Sequence, residues 1–192
     1  ISYFDAASKA YLPVVDRPGA PNLRSLKEQG ALIKKNSGAS LIDLGDGVAC
    51  VEFHSKMNSI GGDTLQMVEE GLKLVEEKSY GLVIGNQGQH FSAGANLMLI
   101  VLEAQEGNWE EIDLMIRTFQ RVNMAIKYAS RPVLVAPFGL TLGGGCEMCL
   151  HATVIQAAAE AYIGLVELGV GLIPAGGGTK EMLLRSLNRA RK

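Results

Sequence analysis

Apolar residues recur along this chain at two different spacings, and the two spacings alternate. Short continuous apolar runs, typical of buried strands, occur in "GLVIGN" (81–86), "PVLVAPF" (132–138) and "TVIQAAA" (153–159). Between these runs, apolar residues recur every three or four positions, which is the spacing of one helix face. The spacing predicts a long helix within 109–129 and an earlier helix capped by Asp63, with a buried face formed by Leu65, Val68, Leu72 and Val75.

Strands that alternate with helices are typical of an α/β domain with a largely parallel sheet. Ahead of them, "SLIDLGDGVACVEF" (40–53) contains two apolar runs joined by a Gly-Asp-Gly turn at 45–47, which predicts a hairpin. Residues 1–39 show no strong periodicity, and "YLPVVDRPGAPNL" contains three prolines. We therefore expect a linker, or the tail of a preceding domain, at 1–39 and one domain at 40–192.

The composition is that of an ordinary globular protein and argues against several function classes. The 192 residues are 47% hydrophobic and 20% charged, with a formal net charge of −2, so neither a nucleic-acid nor a membrane surface is expected. Cys50, Cys146 and Cys149 form no disulfide framework, which favours a reducing compartment, and we expect a cytoplasmic location. The Cys146/Cys149 pair lacks the further ligands of a metal site, so we expect no metal.

Two turns rich in small residues each follow a predicted strand and lead into a helix. They are "GQHFSAGANLM" (88–98) and "FGLTLGGGCEM" (138–148). Each offers unpaired backbone N–H groups at the positive end of a helix dipole, and two such ends directed at one point would stabilise a developing oxyanion. Close packing of helix on strand would require the same glycines. Spacing alone leaves both explanations open.

Two glutamates lie in apolar segments near these turns. Glu147 falls in the first turn of the second helix, and Glu167 lies within "YIGLVELGVGLIPAGGG" (162–178). Such a glutamate either faces solvent or has a function, because burying an unpaired carboxylate is costly. Two neighbouring carboxylates could divide the roles of acid and base, since burial and like charge raise carboxyl pKa values.

A serine hydrolase is a separate possibility. Ser92 could in principle meet one of the histidines His54, His90 or His151, although no G-x-S-x-G motif is present. The glycine run "AGGGT" (175–179) lacks the lysine pattern of a phosphate-binding loop and is expected only to turn the chain into a helix near Thr179.

Three segments resemble, in order and spacing, the enoyl-CoA hydratase/isomerase (crotonase) family: "HFSAGANL" (90–97), "PFGLTLGGGCEMCL" (137–150) and "AYIGLVELGVGLIPAGGGT" (161–179). The resemblance extends from about residue 40 to the end of the chain. It implies a crotonase-like α/β fold, the superhelix of repeated ββα units shared by ClpP and crotonase. It further implies that the family's C-terminal helices are absent from this chain.

The resemblance implies a hydratase site. The N–H groups of Ala95 and Gly144 would hold the thioester oxygen of a 2-trans-enoyl-CoA, while Glu147 helps activate water and Glu167 delivers a proton to Cα. The product would be a 3-hydroxyacyl-CoA, in fatty-acid β-oxidation. Family members with only the second glutamate tend to shift double bonds, so an isomerase that uses Glu167 is the first alternative, and a silent acyl-CoA-binding domain is the second.

The resemblance also implies ligand contacts and partners. Lys56, Met57, Ala93, Asn96 and Leu97 would border the CoA site. Asn96 stands where most relatives have aspartate, and we expect it still to cap a helix. The N-terminal stretch is similar to the one that follows a 3-hydroxyacyl-CoA dehydrogenase region in multifunctional proteins. We therefore expect a fused dehydrogenase domain or a homo-oligomer as partner, and an acyl-CoA as substrate. We expect no cofactor in this chain, and NAD only in a fused domain.

Overall fold

The computed structural model describes residues 2–13 and 20–190. Its strands, numbered in chain order, are Ser2–Asp5 (β1), Ala10–Pro13 (β2), Leu32–Lys35 (β3), Ala39–Gly45 (β4), Val48–Phe53 (β5), Gly81–Gly85 (β6), Val133–Val135 (β7), Leu140–Leu142 (β8), Val154–Ile155 (β9) and Tyr162–Gly164 (β10). Its α-helices are Leu23–Glu28 (α1), Gly62–Lys78 (α2), Leu97–Glu106 (α3), Trp109–Lys127 (α4), Gly144–His151 (α5) and Gly178–Ala190 (α6). Two short 3-10 turns span Lys56–Asn58 and Glu167–Val170.

A six-stranded sheet with the order β3-β4-β5-β6-β7-β9 forms the centre of the molecule. The pairs from β5 to β9 are parallel, as predicted, and the predicted hairpin is the antiparallel β4–β5 pair. Its turn has positive φ at each of Gly45, Asp46 and Gly47, which favours glycine and tolerates aspartate. The three apolar runs that predicted strands are β6, β7 and β9.

Helix α2 packs on this sheet and α4 packs on α2, and apolar side chains of both helices join those of the strands in the core. Val68 and Val75 on α2 and Val122 and Ile126 on α4 are almost fully buried. The N-cap of α2 is Gly61 rather than the predicted Asp63, because the Thr64 hydroxyl accepts the Gly61 N–H at 2.9 Å. Asp63 instead accepts a hydrogen bond from the Ser37 hydroxyl.

Part of the segment before residue 40 packs on the sheet. Strand β3 pairs with β4, and Leu23 of α1 is buried against Ile42 and Cys50. Lys27 Nζ lies 2.7 Å from the Glu52 carboxylate and ties α1 to β5. The packed unit therefore begins before the predicted boundary. The sequence pattern missed α1 and β3 because both elements are short. A domain division at residue 40 stays a prediction, and residues 1 and 14–19 of the predicted linker lie outside the described residues.

A smaller sheet pairs β8 with β10 in parallel register, with Thr141 opposite Ile163. Ser92 forms a bridge to Thr141 on this sheet, and Ala95 forms one to Ile60. The layer thus places the two glycine-containing turns side by side at the N-terminal end of α5. Within residues 2–13 and 20–190, no helix has the length and apolar character needed to cross a membrane.

Candidate active site

Backbone hydrogen bonds join the first glycine-containing turn to the second. The Ser92 N–H donates to the Leu140 carbonyl at 3.1 Å, and the Leu142 N–H donates to the Ser92 carbonyl at 3.0 Å. Gly94 has φ +92, and a methyl group there would lie 3.0 Å from the Leu142 oxygen and 3.6 Å from the Gly144 nitrogen. Glycine is therefore required at 94, both for its φ and for the close approach of the two turns.

This contact brings together the two backbone N–H groups predicted to form an oxyanion hole. Gly144 is the first residue of α5, preceded by Gly143 at φ +51, and Ala95 follows Gly94 directly. Neither N–H, of Ala95 or of Gly144, donates to a protein acceptor in the described part of the chain. Donors left free at a helix start are available to a ligand oxygen, and the helix dipole favours negative charge there.

Glu147 lies one turn into α5 and is 2% exposed. Its Oε1 accepts the N–H of Gly178 at 2.8 Å. Burial raises the pKa of this carboxyl, the N–H of Gly178 opposes the rise, and the negative charge of Glu167 adds to it. Part of that pKa rise comes from Glu167, so the two carboxylates share one electrostatic environment.

A second glycine run, Gly176 to Gly178, encloses the Glu147 carboxylate. A methyl group on Gly176 would lie 2.6 Å from Oε2 of Glu147, and one on Gly178 would lie 3.0 Å from Oε1. Side chains of α4 hold this loop: Asn123 Nδ2 donates to the Gly176 carbonyl at 3.0 Å, and Gln120 Nε2 donates to the Ala175 carbonyl at 2.7 Å. The run does lead into α6, as predicted, but it also forms a cradle for a carboxylate.

Glu167 begins the second 3-10 turn, and its carboxylate approaches Gly143, the N-cap of α5. A methyl group on Gly143 would lie 3.2 Å from its Oε1. Its Oε2 is buried and has no hydrogen-bond partner within the described residues. A buried carboxylate oxygen without a protein partner can accept a hydrogen bond from a water molecule or from a substrate.

The residues predicted to contact CoA lie along the same edge. The carbonyl of Met57 accepts the N–H of Ala93 at 3.1 Å, so the 56–58 turn is tied directly to the oxyanion loop. Met57 has φ +57, unusual for a residue with a side chain, and is 50% exposed. Lys56 is exposed beside it.

Asn96 and Leu97 lie at the start of α3. Asn96 occupies the N-cap of α3, but its side chain makes no capping hydrogen bond, contrary to prediction. Asn96 is exposed to solvent. Leu97, the first residue of α3, is 39% exposed.

The serine and cysteine side chains considered as alternative functional groups are buried in the fold. Ser92 is fully buried and its Oγ accepts the N–H of Gly94 at 3.1 Å; no histidine in the described part of the chain hydrogen bonds to it. Burial raises the pKa of Cys146 to about 11 and that of Cys149 to about 12, so both thiols stay protonated. Among residues 2–13 and 20–190, no three His, Cys, Asp or Glu side chains are grouped as metal ligands.

Sequence reasoning missed the residues that support the glutamates. Phe119 and Asn123 contact the glycine loop at 176–178, Gln120 holds Ala175 just before it, and Glu181 is buried in the helix that follows. The available signal was the glycine run at 176–178, which repeats the composition of the run at 143–145. A second run of three glycines close to an apolar glutamate indicates another close backbone approach.

Known proteins share this arrangement of elements. A family model described as enoyl-CoA hydratase/isomerase matches residues 43–191. The chain belongs to the enoyl-CoA hydratase/isomerase family. An enoyl-CoA hydratase structure from Bacillus anthracis aligns with a TM-score of 0.67 at 25% identity, covering 76% of this chain and 57% of that one. One from Polaromonas sp. JS666 aligns at 0.70 and 24% identity, over 74% and 56%. These alignments confirm the predicted crotonase-like α/β fold.

Longer relatives resemble this member of the enoyl-CoA hydratase/isomerase family over almost its whole length. It is 54% identical over 189 residues to a Bacillus subtilis (strain 168) protein named "Probable 3-hydroxyacyl-CoA dehydrogenase", covering 98% of this chain and 24% of that protein. It is 34% identical over 180 residues to a Rickettsia prowazekii protein whose name contains "fatty acid oxidation complex trifunctional enzyme", covering 94% and 25%. The chain spans about a quarter of the length of these two relatives.

Proposed function

We propose that this chain catalyses the hydration of 2-trans-enoyl-CoA thioesters to 3-hydroxyacyl-CoA. The observation that carries the proposal is the convergence at the start of α5 of two free N–H groups and two carboxylates. The N–H groups belong to Ala95 and Gly144, and the carboxylates to Glu147 and Glu167. The family match and the relatives named as hydratases, such as the crotonyl-CoA hydratase of Syntrophomonas wolfei, support it.

The proposed reaction follows from the positions of these groups. The N–H groups of Ala95 and Gly144 bind the thioester oxygen, which draws electron density from the double bond and makes Cβ electrophilic. One such donor typically contributes about 3–4 kcal/mol to transition-state stabilisation. Glu147 accepts a proton from water as the oxygen bonds to Cβ, and Glu167 delivers a proton to Cα. Transfer of the proton from Glu147 to Glu167 then restores both carboxyl groups for the next turnover. The net change is addition of one water, so no redox cofactor is needed.

The CoA part of the substrate would lie along the edge formed by the 56–58 turn and the start of α3. We propose that Lys56 binds a CoA phosphate, because the residue is exposed and directly precedes Met57, which is hydrogen bonded to the oxyanion loop. Met57, Ala93, Asn96 and Leu97 would border the same edge. The backbone hydrogen bond from Ala93 to Met57 links the position of this edge to that of the oxyanion loop.

The pathway and partners are part of the proposal. A 3-hydroxyacyl-CoA product is the substrate type of a 3-hydroxyacyl-CoA dehydrogenase, the activity in the name of the Bacillus subtilis relative. We propose that the two activities act in sequence in fatty-acid β-oxidation, with NAD bound outside this chain. The free thiols of Cys50, Cys146 and Cys149 support the cytoplasmic location. Exposed apolar side chains such as Leu168 and Ile173, at 81% and 75%, support a homo-oligomer or docking on a fused domain.

The test is to add crotonyl-CoA to the native polypeptide that contains these residues and to follow loss of the conjugated enoyl-thioester absorbance. We expect loss of absorbance with formation of 3-hydroxybutyryl-CoA. Turnover of a 3-enoyl-CoA without hydration of crotonyl-CoA would instead identify an isomerase that uses Glu167. Binding of CoA esters with neither reaction would identify a silent binding domain.

A further inference from the structure

A buried charged cluster lies directly behind the proposed site. Glu181, in the first turn of α6, is 3% exposed, and its Oε1 receives Lys127 Nζ at 2.6 Å and Lys180 Nζ at 3.0 Å. The Nε2 atom of His151, at the end of α5, lies 3.7 Å from the same oxygen. The ion pairs thus join α4 and α6 at one carboxylate, and the ring of His151 from α5, whose pKa burial lowers, lies beside them.

The cluster contacts the glycine loop that holds Glu147. The first helical hydrogen bond of α6 runs from the backbone N–H of Glu181 to the Gly177 carbonyl at 3.0 Å, so the helical turn that carries the Glu181 side chain starts from the loop. The His151 ring packs on Gly177, where a methyl group would lie 3.3 Å from both Cε1 and Nε2. The Nδ1 atom of the same ring lies 2.7 Å from the backbone carbonyl of Glu147, which requires this nitrogen to carry the proton. His151 therefore contacts both the loop, at Gly177, and the backbone of α5 at Glu147.

The loop has no side chains of its own to hold it, because its three residues are glycines. Its position depends on Asn123 at the Gly176 carbonyl, on the His151 ring at Gly177 and on Glu147 at the N–H of Gly178. It also depends on the first turn of α6, which the Glu181–Lys127 ion pair ties to α4. Glycine is the residue with the greatest conformational freedom, so a run of three needs external contacts to keep one conformation.

We propose that Glu181, held by Lys127, is a positioning residue for Glu147: it fixes the loop at 176–178 so that the Gly178 N–H stays on the Glu147 carboxylate. The inference rests on the proposed hydratase function. Glu181 does not touch the substrate in this account and acts only through the loop.

The charges around both carboxylates determine what loss of Glu181 does. Glu181 faces Lys127 from α4, Lys180 from its own helix and His151 from α5. Burial acts to raise the pKa of Glu181, but the two lysines outweigh it and hold that pKa below its ordinary value.

Glu147 faces Glu167 from the second 3-10 turn and the N–H groups of Gly176 and Gly178, and it adjoins the protonated Cys146 thiol. If the loop moves, Glu147 loses the N–H groups that lower its pKa, while burial and Glu167 continue to raise it. The pKa of Glu147 is then expected to rise.

The molecule contains a matched ion pair with no contact to this loop. Lys27 Nζ lies 2.7 Å from the Glu52 carboxylate, and the exposed side-chain fractions are 30% and 10%. The corresponding values for Lys127 and Glu181 are 26% and 4%. Removing one partner of a buried pair destabilises a protein wherever the pair lies. Glu52→Gln therefore controls for the general cost of losing such a carboxylate.

The experiment compares wild type, Glu181→Gln, Lys127→Gln and Glu52→Gln in the native polypeptide, with kcat and KM for crotonyl-CoA measured across pH. For Glu181→Gln we expect kcat to fall roughly 10-fold or more, since a misplacement of about 1 Å can cost on the order of 100-fold. KM should change by less than about threefold, because binding of ground-state substrate is not altered. The acid limb of the kcat profile should move to higher pH.

Lys127→Gln should show the same changes in kcat and in the acid limb, but smaller ones, because Lys180 still pairs with Glu181. If Glu181→Gln does not fold, the Lys127→Gln variant tests the inference in its place. Glu52→Gln should lower the melting temperature but leave kcat and the acid limb as in wild type. A Glu181→Gln enzyme with wild-type kcat, or with an unshifted acid limb like that of Glu52→Gln, would overturn the inference while leaving the hydratase proposal intact. An inactive wild type would instead overturn the hydratase proposal.

Discussion

Glu147 and Glu167 are both glutamates in apolar sequence, but the fold holds them in very different ways. Glu147 belongs to α5, of which all eight residues are buried, and its carboxylate accepts a backbone N–H. Glu167 begins a 3-10 turn without a buried residue, and the neighbouring Leu168 and Val170 are 81% and 57% exposed. One half of the proposed site is therefore part of the core, and the other half is carried by a surface segment.

The two glutamates are therefore positioned by different parts of the structure. The position of Glu147 is fixed by core packing and by a loop anchored from α4 and α6. The position of Glu167 depends on its approach to Gly143 and on the conformation of the surface segment 162–173. Mutations near Glu147 should therefore affect stability and activity together, while mutations near Glu167 should affect activity with little loss of stability.

The largest effect is expected from Glu147→Gln. The substitution keeps the shape and an acceptor for the Gly178 N–H but cannot take a proton from water. We expect kcat for crotonyl-CoA hydration to fall by about 10²- to 10⁴-fold, the usual contribution of a general acid or base. Circular dichroism should show an unchanged fold. Full hydration activity would remove Glu147 from the mechanism.

The residues that follow the two glutamates give a direct comparison of stability. Met148 is fully buried and Leu168 is 81% exposed. Met148→Ala should lower the free energy of unfolding by about 2–5 kcal/mol, because it leaves a cavity in the core. Leu168→Ala should change it by less than about 0.5 kcal/mol. Urea denaturation measures both values, and equal losses would show that the two segments are packed alike.

A smaller, pH-dependent effect is expected from Glu147 itself. Burial raises its pKa in the folded state above the ordinary value of 4.5, so ionisation above that range costs the folded state more than the unfolded state. Neutral Glu147→Gln should therefore melt at a higher temperature than wild type at about pH 7, and the difference should vanish near about pH 4. Melting temperatures across pH test this, and a Glu147→Gln protein less stable than wild type at neutral pH would contradict it.

The opposite sign is expected for Glu181, whose folded pKa is lowered by Lys127 and Lys180 in spite of its burial. Its stabilising contribution is present above its unfolded pKa and is lost as pH falls through its folded pKa. Glu181→Gln should therefore be destabilised at neutral pH, with a difference from wild type that shrinks in acid. This variant provides the control for the sign of the Glu147 effect.

The sequence predicted the main elements, and named the candidate site residues, because these signals are local. Apolar runs located β6, β7 and β9, and the resemblance located Glu147, Glu167 and the two N–H groups. The supports of Glu147 were missed because they depend on distant pairs: Lys127 and Glu181 are 54 residues apart, and Asn123 and Gly176 are 53 apart. In sequence, Glu181 looks like a solvated residue on an amphipathic helix, and only the fold buries it.

The central claim is that Glu167, despite its place on a surface segment, acts with Glu147 in one hydration step. The most direct test is kcat for crotonyl-CoA hydration by Glu167→Gln, measured beside its melting temperature. The account predicts a loss of about 10²- to 10⁴-fold with the melting temperature of wild type. Full hydratase activity in this variant would contradict it, because Glu147 alone would then be sufficient for the reaction.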